Sequence, residues 1–167
     1  MLIEKHTSTK NEVLLRSRGG ITMGHDNSLF FVGKRFIPDL SHENKPPISR
    51  VHQDFIDLFS ELVEGATSET QVEWRQVLKS TTISNFVDSR KVVPFRFVYG
   101  LMMIQLLGKK RPLLKTKANI FFVRKSNSSL CELWMHWWRE GWSFEPKALG
   151  NNKFPKGSRV FFKKSSQ

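Results

Sequence analysis

Ser129-Leu130-Cys131-Glu132-Leu133-Trp134-Met135-His136-Trp137-Trp138-Arg139-Glu140-Gly141 is the stretch on which the fold turns, because it gathers three of the five tryptophans into five residues. Ser129 and Glu132 stand at the spacing of a capping box, whose hydroxyl and carboxylate satisfy free backbone N–H groups reciprocally, and Gly141 suits a helix stop. The pattern predicts a helix over 129–141. On it Trp134, Trp137, Trp138 and the following Trp142 spread round most of the circumference, leaving Glu132, His136 and Arg139 as a polar stripe at i, i+4 and i+7.

Outward from that stretch, 118–123 is rich in β-branched and aromatic residues and predicts a strand. Trp142-Ser143-Phe144 and Arg159-Val160-Phe161-Phe162 predict two more, joined by a loop rich in Lys, Asn, Pro and Gly. Upstream, a helix runs from Pro94, whose fixed φ suits a first turn, to Gly108, and its apolar surface all round makes it central. A capping box at Ser68-Glu69-Thr70-Gln71 predicts another helix carrying Val72, Trp74, Val77 and Leu78 and fading near Ser80. Ser49 caps a predicted helix with Val51, Phe55, Leu58, Phe59 and Leu62 at helical spacing and Gly65 as its stop.

Residues 38–47 contain three prolines and read as a loop. Ile21-Thr22-Met23 and Leu29-Phe30-Phe31-Val32 flank the turn-forming Gly24-His25-Asp26-Asn27, which predicts a β-hairpin. Residues 1–19 lack a period and read as a flexible basic and polar arm or an edge strand. The expected fold is α+β: one compact domain over 20–167 with an N-terminal β-hairpin, three to four helices and a C-terminal mixed strand and helix region. A chain of 167 residues buries about 70% of its unfolded surface without staples. With fourteen Phe and five Trp against one Tyr, large rings do most of that burial.

Cys131 is the sole cysteine, which excludes an intrachain disulfide and the multi-thiolate zinc patterns. The expected compartment is reducing and intracellular, cytoplasm or nucleus. No apolar leader follows Met1, and the most apolar run, 97–107, is about half the roughly 20 residues a membrane-spanning helix needs, so neither export nor membrane insertion is expected.

Charge is the strongest functional signal. Residues 79–125 hold eleven Lys/Arg against Asp88 alone, +10 of the total of +12, while 51–76 hold six acids against Arg75. Cations after Gly108 also suit the negative end of a helix dipole, so a merely solvated block is one reading. The other is a polyanion partner, since neutralising closely spaced phosphates releases condensed counterions. The expected partner is RNA or DNA, held mainly by its phosphates. The candidate contacts are Lys109, Lys110, Arg111, Lys115, Lys117, Arg124 and Lys125, with Arg159, Phe161 and Lys163 on one face of the last strand. Phe161 between two cations suits base stacking, or else it is a second core contact in a sheet covered on both sides.

Trp134 and Trp138, with Asp57 and Glu61 from an acidic stripe Asp54, Asp57, Glu61 and Glu64, are candidate contacts for a protein partner or another copy of the chain. An anionic membrane surface is the weaker alternative for the cations. Two other functional classes fit the composition less well. One is a structural assembly subunit of the viral matrix or ribonucleoprotein kind. The other is a small nuclease, with Asp39, Glu43 and Lys45 as a metal-dependent set or His25 or His52 with a carboxylate as a metal-free one. His136 with Cys131 at i+5 lies on opposite helix faces and makes no catalytic pair. No cofactor-binding or metal-ligand pattern is present, and no phosphate-cradling glycine loop.

Overall fold

The computed structural model describes residues 15–37, 46–82, 91–150 and 152–164. Its centre is a mixed seven-stranded sheet in the order β1-β5-β11-β7-β8-β9-β3. These strands are β1 (Leu15–Met23), β3 (Ile48–Val51), β5 (Thr70–Val77), β7 (Asn119–Arg124), β8 (Leu130–Trp138), β9 (Gly141–Lys147) and β11 (Arg159–Lys163). Neighbours are antiparallel except for the parallel pairs β11–β7 and β3–β9. Three helices, α1 (Val32–Phe36), α2 (Gln53–Phe59) and α3 (Phe95–Leu106), contribute to the core on one face. Two short ribbons complete the α+β fold: β2 (Phe30–Phe31) with β4 (Val63–Glu64), and β6 (Thr81–Thr82) with β10 (Lys153–Phe154).

The 129–141 helix is therefore corrected to a strand and the turn after it. Along β8, Cys131, Leu133 and Met135 enter the helix-side core, while Glu132 and Trp134 are buried on the opposite side. A strand covered on both faces reads as an unbroken apolar run, so its period of two is hidden and the end signals take over. Those signals have other uses. Ser129 Oγ donates to Asn127 Oδ1 at 2.6 Å within the β7–β8 turn. Gly141 admits the neighbouring strand: a Cβ there would lie 2.6 Å from Ser49 N.

The same correction applies to 68–80, where 70–77 forms β5 between β1 and β11. Ser49 lies in β3, so the helix that follows is shorter than expected and starts after His52. The expected N-terminal hairpin does not form either, since β1 pairs with β5, and β2 pairs with β4. Of the expected arm, residues 15–19 belong to β1 at the sheet edge, and 1–14 lie outside the described residues. Asp39, Glu43 and Lys45 also lie outside them.

The strands at 119–124, 141–147 and 159–163 agree with the sequence reading, as does α3. Gly108, at φ 72°, closes α3, with Lys109 N–H on Ile104 O at 3.2 Å and Gly108 N–H on Gln105 O at 3.0 Å. The other end of α3 is capped from a distance. Glu64 accepts the N–H groups of Phe95 at 2.7 Å and Arg96 at 2.8 Å, placing a carboxylate on the positive end of the helix. Burial pushes the Glu64 carboxyl up, and these two N–H groups oppose the shift. Arg96 is itself buried and extends the tie to Asp26 Oδ2 at 3.1 Å, to Gly65 O at 3.0 Å and to Ser28 O.

Phe36 is the hub of the helix-side core. Its ring lies 5.2 Å from that of Phe144, 5.5 Å from Phe95, and 5.8 Å from Phe55 and Tyr99, most of them edge to face. The opposite face carries a smaller cluster of Val77, Ala118, Ile120, Phe122, Trp134, Phe154 and Val160, to which the β6–β10 ribbon contributes Phe154.

Replacing Glu64 by Ala removes both acceptors at the start of α3. The expected loss is about 2 kcal/mol, because two backbone N–H groups lose a charged partner in a part-buried setting. Urea unfolding of wild type and Glu64→Ala measures it; an unchanged midpoint overturns the capping role.

Candidate nucleic-acid interface

Strand directions sort the cations between the two ends of the sheet. One end carries the starts of β3, β7, β9 and β11 and the finish of β8. There lie residues 48–50, 109–117, 137–143 and 156–159, which hold Arg50, Lys109, Lys110, Arg111, Lys115, Lys117, Arg139, Lys156 and Arg159 against Glu140. The other end carries Arg124, Lys125, Lys147 and Lys163. Strands rise about 3.3 Å per residue, so Arg124 is separated from the start of β7 by some 16 Å. The candidate contacts thus form two groups.

At the first end the basic loop is fastened to the domain by side chains that imitate backbone pairing. Gln105 on α3 accepts Leu113 N–H at 2.9 Å and donates to Leu113 O at 3.1 Å. Asn119, fully buried at the start of β7, accepts Leu114 N–H at 2.8 Å and donates to Leu114 O at 2.9 Å. Arg159 donates to Pro112 O at 2.6 Å and Arg111 O at 3.3 Å. Leu113 is buried beneath.

Held in this way, Lys109, Lys110, Arg111, Lys115 and Lys117 are exposed. The Lys115 ammonium sits 3.9 Å from the centre of the Trp137 ring, and the Lys117 stem lies against Gly157. Arg159 is engaged with the loop backbone, which makes it a positioning residue for the neighbouring cations.

The finish of β8 adds a group that the sequence reading assigns to a protein partner. Trp138 is 41% exposed, with the Arg139 guanidinium 4.4 Å and the Arg50 guanidinium 5.8 Å from the centre of its ring. The two-residue turn behind it, Arg139-Glu140, has φ of 49° and 65°. Both are left-handed values that Asn and Gly adopt at little cost and long side chains do not.

Two candidate residues are relocated to the interior. Phe161 is fully buried and stacked on Phe121 at 4.5 Å, so its ring is closed to a base. It faces the helices, where the sheet needs an apolar side chain. Trp134 is 4% exposed, its indole N–H donates to Glu132 at 2.8 Å, and the Lys147 ammonium lies 3.9 Å from its ring centre. It is buried in the second core. Glu132 is held by three donors, from Trp134, Asn152 and Gly150. Burial pushes its carboxyl up against those bonds.

At the second end, acids and bases meet. Asp54 and Asp57 from α2 share a cleft of about 300 Å³ with Lys125, Cys131 and Lys147. Asp57 accepts from Gln53 at 2.8 Å, and Glu61, past the end of α2, is exposed. Arg124 turns onto Ser128 O at 2.9 Å in the β7–β8 turn.

Burial pushes the Cys131 thiol up to about 11, which leaves it protonated at neutral pH. Burial, followed by the Lys147 charge, holds His136 below the ordinary imidazole range. Among the described residues no group of three or more His, Cys, Asp or Glu side chains could hold a metal ion, and no helix is long and apolar enough to cross a membrane. No family model, curated protein or solved structure matches the chain.

Two variants test this construction. Asn119→Ala strips the amide that fixes Leu114, leaving part-buried backbone groups unpaired at a cost of about 1 kcal/mol; limited trypsin digestion then cuts faster at 109–111 than in wild type, and equal rates refute the fastening. Arg139→Asn with Glu140→Gly relieves the turn and is expected to raise stability by about 1–2 kcal/mol, visible as a higher melting temperature.

Proposed function

We propose that this protein binds nucleic acid without cleaving it, holding the phosphate backbone on the end of the sheet formed by residues 48–50, 109–117, 137–143 and 156–159. One observation carries the reading: among the described residues, nine Lys/Arg from four separate segments lie at that end, and Glu140 is the one acid within those segments. A polyanion recovers from such a surface the counterions condensed on its phosphates, and the gain does not depend on base sequence. The fastening of 109–117 favours the same reading, because side chains presented from a fixed loop lose less freedom on binding. Arg124, Lys125 and Lys163 fall outside the proposed interface. Their end of the sheet already holds the carboxylates of α2, and a phosphate there meets Asp54 and Asp57 as well as lysine.

Fluorescence anisotropy with labelled oligonucleotides across a salt series tests the proposal. Wild type is expected to bind with affinity falling steeply as salt rises, and Lys109→Glu with Lys110→Glu and Arg111→Glu to weaken binding alike for all sequences. The same triple change reduces the slope of log K against log salt by about 2–3, close to one for each phosphate that is no longer neutralised. An unchanged affinity in the triple variant removes the assignment; preferential binding to anionic vesicles replaces it with a membrane surface; cleavage of the oligonucleotide replaces it with a nuclease.

A further inference from the structure

We infer that the nucleic acid taken by this surface is single-stranded, and that Trp138 is the platform on which one of its bases stacks. The inference rests on the phosphate-binding reading above and adds the class of ligand. Trp138 differs from the other tryptophans of its hairpin. Trp134 and Trp142 are 4% and 2% exposed, and Trp137 is half-buried, whereas Trp138 is 41% exposed at the tip. Asn119 is level with Met135, so Trp138 stands three residues, some 10 Å, beyond the start of β7. A large ring left 41% exposed at such a tip keeps apolar surface in water, at a cost in free energy.

The surroundings of the ring are selective. Two guanidinium groups, Arg139 at 4.4 Å and Arg50 at 5.8 Å, lie against it from the turn and from the adjacent β3. An unstacked base presents a π face to the indole and a phosphate to each side, and the planar guanidinium extends the stack while its N–H groups reach that phosphate. In a duplex the base faces are already taken by their neighbours, so this arrangement has nothing to engage there. The turn geometry is an independent sign. Arg139 and Glu140 occupy left-handed backbone that Asn-Gly adopts freely. The strain is retained where it fixes Arg139 beside the ring, as expected of a residue held for binding.

The test pairs wild type, Trp138→Ala, Trp138→Phe and the Lys109→Glu, Lys110→Glu, Arg111→Glu variant with oligothymidylate, oligouridylate and a blunt duplex of matched length. Wild type is expected to show quenched tryptophan fluorescence on either single strand. Trp138→Ala loses about tenfold in affinity for single strands, with its salt slope and duplex affinity unchanged, and Trp138→Phe recovers most of the loss. The side chain is exposed, so unaltered melting of Trp138→Ala verifies that folding is intact. Equal single-strand affinity in Trp138→Ala, or an equal loss on duplex, overturns the stacking role. If the triple variant still weakens binding in that case, the phosphate reading survives alone. Absence of binding to any oligonucleotide removes both.

Discussion

The structure depends on the central strands being buried on both faces. Phe121 and Phe161 stack at 4.5 Å on the helix side of β7 and β11, while Ile120, Phe122 and Val160 fill the opposite side from the same two strands. A sheet sealed in this way tolerates charge only at strand ends, at its edges and in the connections, since an ionised side chain within it requires paired partners. Glu132, fully buried in β8, illustrates the cost, with three donors gathered round one carboxylate, whereas Glu73 and Arg75 in β5 and Glu145 in β9 are only half-buried. The distribution of Lys and Arg follows. Many of the 27 accordingly lie where strands begin and finish and in the connections between them.

That two-sided burial also explains which parts of the fold are legible in the sequence. α3 is readable because its signals are local: Pro94 fixes the first turn and Gly108 takes the left-handed value that ends the helix. The strands 119–124 and 159–163 are readable from residue type. β5 and β8 are not. Each is preceded by a Ser with Gln or Glu three residues later, a pattern that satisfies helix ends, but whether the segment pairs as a strand is decided by its partners, which are adjacent in sequence for β8 and distant for β5. β8 sits between β7 and β9, and β5 between β1 and β11, the last strand of the chain. Gly141 has the same lesson. It looks like a helix stop, yet its lack of a Cβ serves the close approach of Ser49.

The site is legible in part for a related reason. Lys109 to Lys117 is a charge cluster contiguous in sequence, so composition alone marks it. Arg159 is marked by sequence as a phosphate-binding residue, and its hydrogen bonds to the backbone at 111 and 112 give it a positioning role that only tertiary structure reveals. Phe161 stands out in sequence because a strand puts it between two cations, an argument that holds for the face and fails for the layer covering that face. Arg50 and Arg139 carry no such signal. They matter through Trp138, and the three meet because β3 runs parallel to β9 beside the tip of the β8–β9 hairpin.

The difference between the two ends of the sheet finally bears on why an acidic helix accompanies a basic protein. α2 follows directly from β3 and carries Asp54 and Asp57 to the end where Lys125 and Lys147 lie. Carboxylates there screen cations of their own chain, while Glu140 is the one acid in the four segments that form the opposite end. Among the described residues the four segments at that end hold nine Lys/Arg against one acid, a local excess of positive charge that, on the proposed reading, would orient an approaching polyanion before it touches the surface. Orientation of this kind acts over about 10 Å at moderate salt, the reach of the screened field. It would bring a strand to the end where Trp138 projects, so that the long-range and short-range terms select the same face.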